Sequence, residues 1–171
     1  MTGRPQSTEA DAYYFTYIDK VEGDDPLSII ESQLSEFQPV LASISEDRSL
    51  HRYAPGKWSI RQVLNHISDT ERAFAFRALW FARGFSDPLP GYDPDIAATG
   101  AQADLTSWSM HVEEFRRVRL ATLSLFLSLP PHAWTSTGVA SGKTFTVRAI
   151  AFIIAGHVEH HMRLLHEKYL A

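Results

Sequence analysis

The sequence contains no cysteine. That absence excludes disulfide staples, thiolate metal ligands and a cysteine nucleophile together, and it fits a reducing compartment. Any metal must be held by nitrogen or oxygen donors, and any sulfur chemistry must use sulfur brought in from outside. No apolar run approaches the roughly 18 residues needed to span a bilayer, and the polar start of the chain has no signal-peptide core. Runs of lysine or arginine are missing too and the formal charge is −4, so a nucleic-acid partner has no electrostatic footprint. Internal repeats and low-complexity segments are also lacking. These absences predict a cytoplasmic protein with neither a membrane nor a nucleic-acid partner. A length of 171 residues suits one domain over 1–171, with 1–12 as a flexible tail.

What is present is helical rhythm. Four long stretches carry apolar residues at spacings of three and four. The first opens with Asp25 as cap and Pro26 at the first helical position, then runs through Leu27, Ile30, Leu34, Phe37, Leu41 and Ile44. Pro39 should kink it or split it in two. The second opens with a capping box, Ser59 and Gln62, and buries Ile60, Val63, Ile67, Phe74, Ala78 and Phe81 before Gly84 ends it. The third starts near Thr106 or Ser107 and stops at Pro130-Pro131. Its Glu113, Glu114, Arg116, Arg117 and Arg119 read as a solvated face, and His111 falls with them.

Thr146 caps the fourth stretch, whose stripe is Val147, Ile150, Ile154, His157, His161, Leu164 and Lys168. Tyr13 to Ile18 is too apolar for water and reads as a strap or short helix, while Trp134 to Thr144 permits a small hairpin. Four amphipathic helices without a convincing sheet predict an all-α antiparallel four-helix bundle.

Two histidines in the middle of a burying face demand a hydrogen bond, a charge or a metal. His157 and His161 are four residues apart, so their rings lie one above the other, whereas His160 is turned by about 100°. In a bundle, further ligands come from facing helices. His66 is the histidine near a capped start on a neighbouring helix, at a similar depth if the two starts share one end. Taken alone, it reads more readily as a partly exposed helix histidine than as a ligand, with Asp69 three residues on and Thr70 four on. Glu71 falls near the apolar stripe, so it either pairs with an arginine such as Arg77 or sits at a polar site. The long segment from Phe85 to Ala103 is a crossover or lid in which Tyr92, Asp93 and Asp95 are the polar candidates.

The run Pro55-Gly56-Lys57-Trp58-Ser59-Ile60-Arg61-Gln62-Val63-Leu64-Asn65-His66 resembles the DinB/YfiT-like family. So does the block from Phe145 to Leu165 with Ala155-Gly156-His157-Val158-Glu159-His160-His161. The segments from Arg77 to Gly84 and from Pro88 to Tyr92 also fit. The resemblance implies a four-helix bundle with an up-down-down-up course, in which Phe85 to Ala103 crosses over between helices two and three. It further implies a divalent metal, zinc or nickel, on histidines that map onto His66, His157 and His161.

Three neutral imidazoles leave at least one coordination position open, the pattern of a catalytic rather than a structural site. Relatives of this kind use low-molecular-weight thiols, so the resemblance implies a metal-dependent thiol transferase or isomerase with a small-molecule substrate. The alternatives are a metal-dependent hydrolase and a non-enzymatic metal-stabilised binding or dimerisation module, with a homodimer as its form. Glu159 stands two residues after His157, whereas the metalloprotease motif needs it directly after the first histidine. Tyr92 and Asp93 are expected to close over the ligand site, and Asp69 to orient His66.

Overall fold

Side-chain caps set where the helices begin. In the computed structural model, which describes residues 3–170, Asp11 caps α1 (Ala12–Ile18), its carboxylate accepting from Tyr13 N. Asp25 caps α2 (Pro26–Ser43) with Pro26 in its first turn. Ser59 and Gln62 form the expected reciprocal box at the start of α3 (Ile60–Ala82). Asp93 caps a short helix within the crossover, α4 (Pro94–Ala101). Ser107 precedes α5 (Trp108–Leu127), and Thr146 Oγ1 accepts from Ala149 N to open α6 (Val147–Leu164). A small antiparallel hairpin, β1 (Thr137–Ala140) and β2 (Lys143–Thr146), leads into α6. Its turn residues Ser141 and Gly142 both adopt positive φ.

The chain is therefore mostly helical with a two-stranded sheet. The helices α2 and α3 each pack against both α5 and α6, so the four long helices close into a ring of neighbours. Inside lie two apolar clusters. One holds Phe74, Phe81, Phe126, Phe145 and Phe152; the other holds Phe37, Ile60, Ile67, Phe115 and Met162. Between them sits a polar layer. Arg119, fully buried, donates to Glu71 Oε2 at 2.9 Å, to Gln33 Oε1 at 2.7 Å and to Ile30 O at 3.1 Å. Gln33 Nε2 in turn donates to Ala155 O at 2.9 Å. One guanidinium thus ties all four long helices at a single level.

Several sequence expectations change here. The partner of Glu71 is Arg119 rather than Arg77, and Arg119 belongs to the core rather than to a solvated face. Periodicity on the charged helix could not reveal this, because a lone buried arginine looks like its exposed neighbours. His111 is also buried, its Nε2 lying 2.8 Å from Ala103 O, which pins the crossover to α5. Pro39 lies inside α2 without splitting it, since Phe37 and Leu41 are buried on either side and hold the helix together. The last stripe position moves as well. The helix widens into a π-turn over Leu165–Leu170, which buries Tyr169 and leaves Lys168 in solvent.

The N-terminal segment is bound rather than loose. Arg4 donates to Ile18 O at 2.9 Å and to Val21 O at 2.8 Å, and Glu9 pairs with Arg148 and accepts from Thr146 Oγ1. Of the residues expected in the tail, Met1 and Thr2 lie outside those described. Among the described residues no helix is long and apolar enough to cross a membrane.

Breaking a buried pair strands the remaining charge, at a cost of about 3–5 kcal/mol. Arg119→Ala and Glu71→Ala should each lower stability by that amount in urea unfolding. The double replacement Arg119→Met with Glu71→Leu should cost less than either alone, since it removes both charges and preserves volume.

Candidate metal centre

Each histidine of the centre is placed by a packed helix, not by a loop. The face of α3 that buries Val63 and Ile67 brings in His66, and α6 brings in His157 and His161 one turn apart. His66 Nε2 and His161 Nε2 each lie 3.1 Å from His157 Nε2. The three ligand atoms all fall within 4.8 Å of one another. His66 and His157 are buried, and His161 is half-buried.

A neutral imidazole has one N–H and one lone pair, so His157 Nε2 acts either as donor or as acceptor, never as both. It nevertheless faces two nitrogens at contact distance. A cation at their common focus satisfies all three lone pairs together. Nitrogens bound to zinc at about 2.0–2.1 Å, at angles of about 90–110°, stand roughly 2.8–3.4 Å apart, which brackets the two 3.1 Å spacings to His157 Nε2. The residues fit a divalent ion.

Burial keeps these rings neutral, as metal binding requires. Desolvation pulls His66 down to about 4. The same effect, with His66 and His160 nearby, pulls His161 down to about 3. For His157 burial comes first and its histidine neighbours second, and both hold it well below the ordinary value.

The orienting contact to His66 comes from Thr70, whose Oγ1 lies 3.3 Å from His66 Nδ1. Asp69, expected in that role, instead pairs with Arg72 at 3.1 Å on the outer face of the helix. The reason is angular, since Thr70 lies one full turn from His66 and Asp69 short of it. His161 Nδ1 is buried without a partner among the described residues.

The triad forms one wall of a cavity of about 300 Å³. Aromatic side chains supply much of the rest: Tyr17 from α1, Trp58 ahead of α3, Phe74 from α3 and Tyr92 from the crossover. Tyr92 lines the cavity with a buried hydroxyl that lies near Thr70. Burial pushes that hydroxyl's pKa up. Asp93 is not among the lining residues; its carboxylate is spent on capping α4 through Asp95 N and Ile96 N. His160 lies outside the triad, as its angle on the helix predicted, but its ring still reaches the cavity beside Tyr17.

Two further lining residues were not anticipated as such. Tyr17 packs edge-on to His157 with ring centroids 5.5 Å apart. It gets there because α1 lies directly on Gly156, where an added Cβ would stand 2.0 Å from Tyr17 O. A glycine in mid-helix beside two histidines was the available signal of that close approach. Arg77 lies on the same face of α3 as His66, three turns on, and enters the cavity with Ser141 opposite.

A family model for the DinB superfamily matches residues 29–165. The chain belongs to the DinB superfamily. Among solved structures it is similar to YfiT from Bacillus subtilis, described as a probable metal-dependent hydrolase with an unusual four-helix bundle topology. The TM-score is 0.70 at 15% identity, covering 96% of this chain and 90% of that one. It is also similar to a mycothiol-dependent maleylpyruvate isomerase, with a TM-score of 0.69 at 11% identity. That match covers 85% of this chain and spans only 61% of the isomerase. At such identities the likeness is one of DinB fold alone. No curated protein matches the sequence significantly.

Alanine at His66, His157 or His161 should each abolish metal retention through gel filtration, measured by elemental analysis, while His160→Ala keeps it. Thr70→Val should weaken metal affinity by roughly 10- to 100-fold, the usual effect of losing a partner behind a ligand. Gly156→Ala should displace α1 and lower the melting temperature. For metal-free protein the sign of the pH dependence follows from rings held below their unfolded value of 6.5. The unfolded chain takes up protons first, so stability is full above about 6.5 and declines as pH falls through it towards about 4. A urea midpoint that stays level over that range would contradict the buried neutral triad.

Proposed function

We propose that this DinB protein is a cytoplasmic metal-dependent enzyme that transfers or rearranges groups on a small molecule with the help of a low-molecular-weight thiol. His66, His157 and His161 are the ligands of one divalent ion, zinc or nickel. On this reading the long helices run up-down-down-up, with α4 carried on the crossover from α3 to α5. The observation that carries the proposal is the convergence of three imidazole nitrogens on a cavity that no aspartate or glutamate lines among the described residues.

A divalent ion there supplies Lewis acidity, which lowers the pKa of an incoming thiol. The protein's own groups do the rest. The three neutral imidazoles leave the ion's charge uncompensated, so an anionic sulfur is favoured beside it. The aromatic walls exclude water and accept the apolar part of a substrate. Tyr92 offers a desolvated hydroxyl as hydrogen-bond donor to a polar atom of the substrate. Because the chain has no cysteine, the sulfur must arrive with the ligand.

A second reading, metal-dependent hydrolysis, draws on His160. This histidine lines the cavity outside the triad and on this reading would be the group that takes a proton from water. The likeness to YfiT supports the same reading. A third, a metal-stabilised homodimeric binding module without catalysis, requires only the triad.

The experiment is a rate comparison on model electrophiles and on carboxylic and phosphoric esters, with metal-loaded protein and cellular thiols added singly. Metal-dependent acceleration by at least one thiol, about tenfold or more above solution (roughly 1.4 kcal/mol), is expected and should vanish in His157→Ala. Ester hydrolysis without thiol, lost in His160→Ala, would replace this reading with the hydrolase.

A further inference from the structure

Arg77 is an ion without a counter-ion. Its side chain is buried, with the residue only 5% exposed, and it lines the same cavity as the histidine triad. Its hydrogen bonds go to neutral groups, Ser141 Oγ at 3.0 Å and Pro90 O at 3.4 Å, and both come from Nη2. Nε and Nη1 have no acceptor among the described residues. The guanidinium lies over the Phe74 ring, 5.1 Å from its centroid, which holds its plane but leaves its charge unpaired. Elsewhere the chain pairs its buried arginines with carboxylates: Arg119 with Glu71, and Arg61 with Glu46. Asp69 and Asp95 act through space on Tyr92 and His66, but neither lines the cavity. Burying a cation this way is costly unless something anionic completes it.

We propose that Arg77 is the anion-recognition residue of the cavity and that its ligand is an elongated molecule carrying a carboxylate at the end remote from the histidine triad. The free Nε and Nη1 donors, on opposite edges of the guanidinium, can each give a single charge-assisted hydrogen bond to a carboxylate oxygen. The helix sets the ligand's length. Arg77 is eleven residues beyond His66, about 16 Å along the axis, and its stem leans back towards the N-terminus. The carboxylate and the atom presented to the triad are therefore roughly 10 Å apart. Aromatic walls between them, Phe74 and Tyr92 among them, suit an apolar or amide-containing middle. This inference rests on the metal-site reading above for the far end of the ligand, but the Arg77 end stands independently.

The test uses two arms. In the first, the cobalt(II)-loaded protein is titrated with 8-mercaptooctanoate, its methyl ester and 3-mercaptopropionate, following the visible spectrum of the ion. The long acid should bind about tenfold or more tightly than either its ester or the short acid, which cannot reach both ends. Arg77→Gln should erase that preference while still binding cobalt, and Arg77→Lys should keep part of it. Equal affinities for acid and ester in the unaltered protein would overturn the proposal. In the second arm, metal-free protein with nitrogen-15 arginine is given octanoate or octanamide. The Arg77 Nε–H resonance, assigned by its loss in Arg77→Gln, should move with octanoate alone. No movement with octanoate would also overturn the proposal. Failure to bind cobalt, with the arginine shift intact, would sink the metal reading and leave anion recognition standing.

Discussion

The buried guanidinium of Arg119 is the constraint on which the rest of the structure depends. It sits between two apolar clusters and reaches α2, α3 and, through Gln33, α6 from its own place on α5. Apolar side chains alone would let long helices slide by a turn at modest cost, since hydrophobic contacts are non-directional. A buried charge with directional partners tolerates no such slip, because a displaced helix would leave it unpaired. Glu71, its carboxylate partner, lies in the same turn of α3 as Thr70, which contacts His66. The layer that sets the helix register therefore also sets the height at which α3 presents its histidine to α6.

Register matters because the centre is assembled across helices. Two of its nitrogens come from successive turns of α6 and one from α3. A shift of one turn along either helix, about 5.4 Å, exceeds the whole spread of the ligand atoms. Gly156 adds a second constraint of the same kind by admitting the backbone of α1 against α6, so that Tyr17 closes over His157. The result is a cavity that is apolar over much of its wall and rich in cationic or cation-binding groups. It holds no carboxylate of its own among the described residues. On the proposals above, the triad, Arg77 and the buried hydroxyl of Tyr92 share one chemical preference, for an anionic ligand.

Much of the candidate site was legible before any coordinates. The two histidines of α6 declared themselves by sitting on an apolar stripe, and His160 was separated from them by angle alone. His66 was weaker in isolation and gained its place from the ordered blocks around it. Misreadings arose wherever an angle had to be combined with an unknown neighbour. Asp69 and Thr70 were both within reach of His66, and only packing decided that Asp69 faces Arg72. Asp93 was recognisable as a turn residue, and capping is the use to which the fold puts it.

Local chemistry determined the elements. Caps at Asp25, Ser59 and Thr146 are short-range hydrogen bonds between residues two or three apart, so the chain carries them in its own order. The same holds for the helical stripes, whose period belongs to the backbone. Pairing across helices belongs to no local stretch. That Glu71 takes Arg119 and leaves Arg77 for the cavity, that His111 is buried, and that Arg4 and Glu9 are anchored all depend on which faces meet in three dimensions. A charged residue costs little to place on a helix in water and a great deal to bury alone. Its partner is therefore chosen only when the bundle closes, and the tertiary structure alone records that choice.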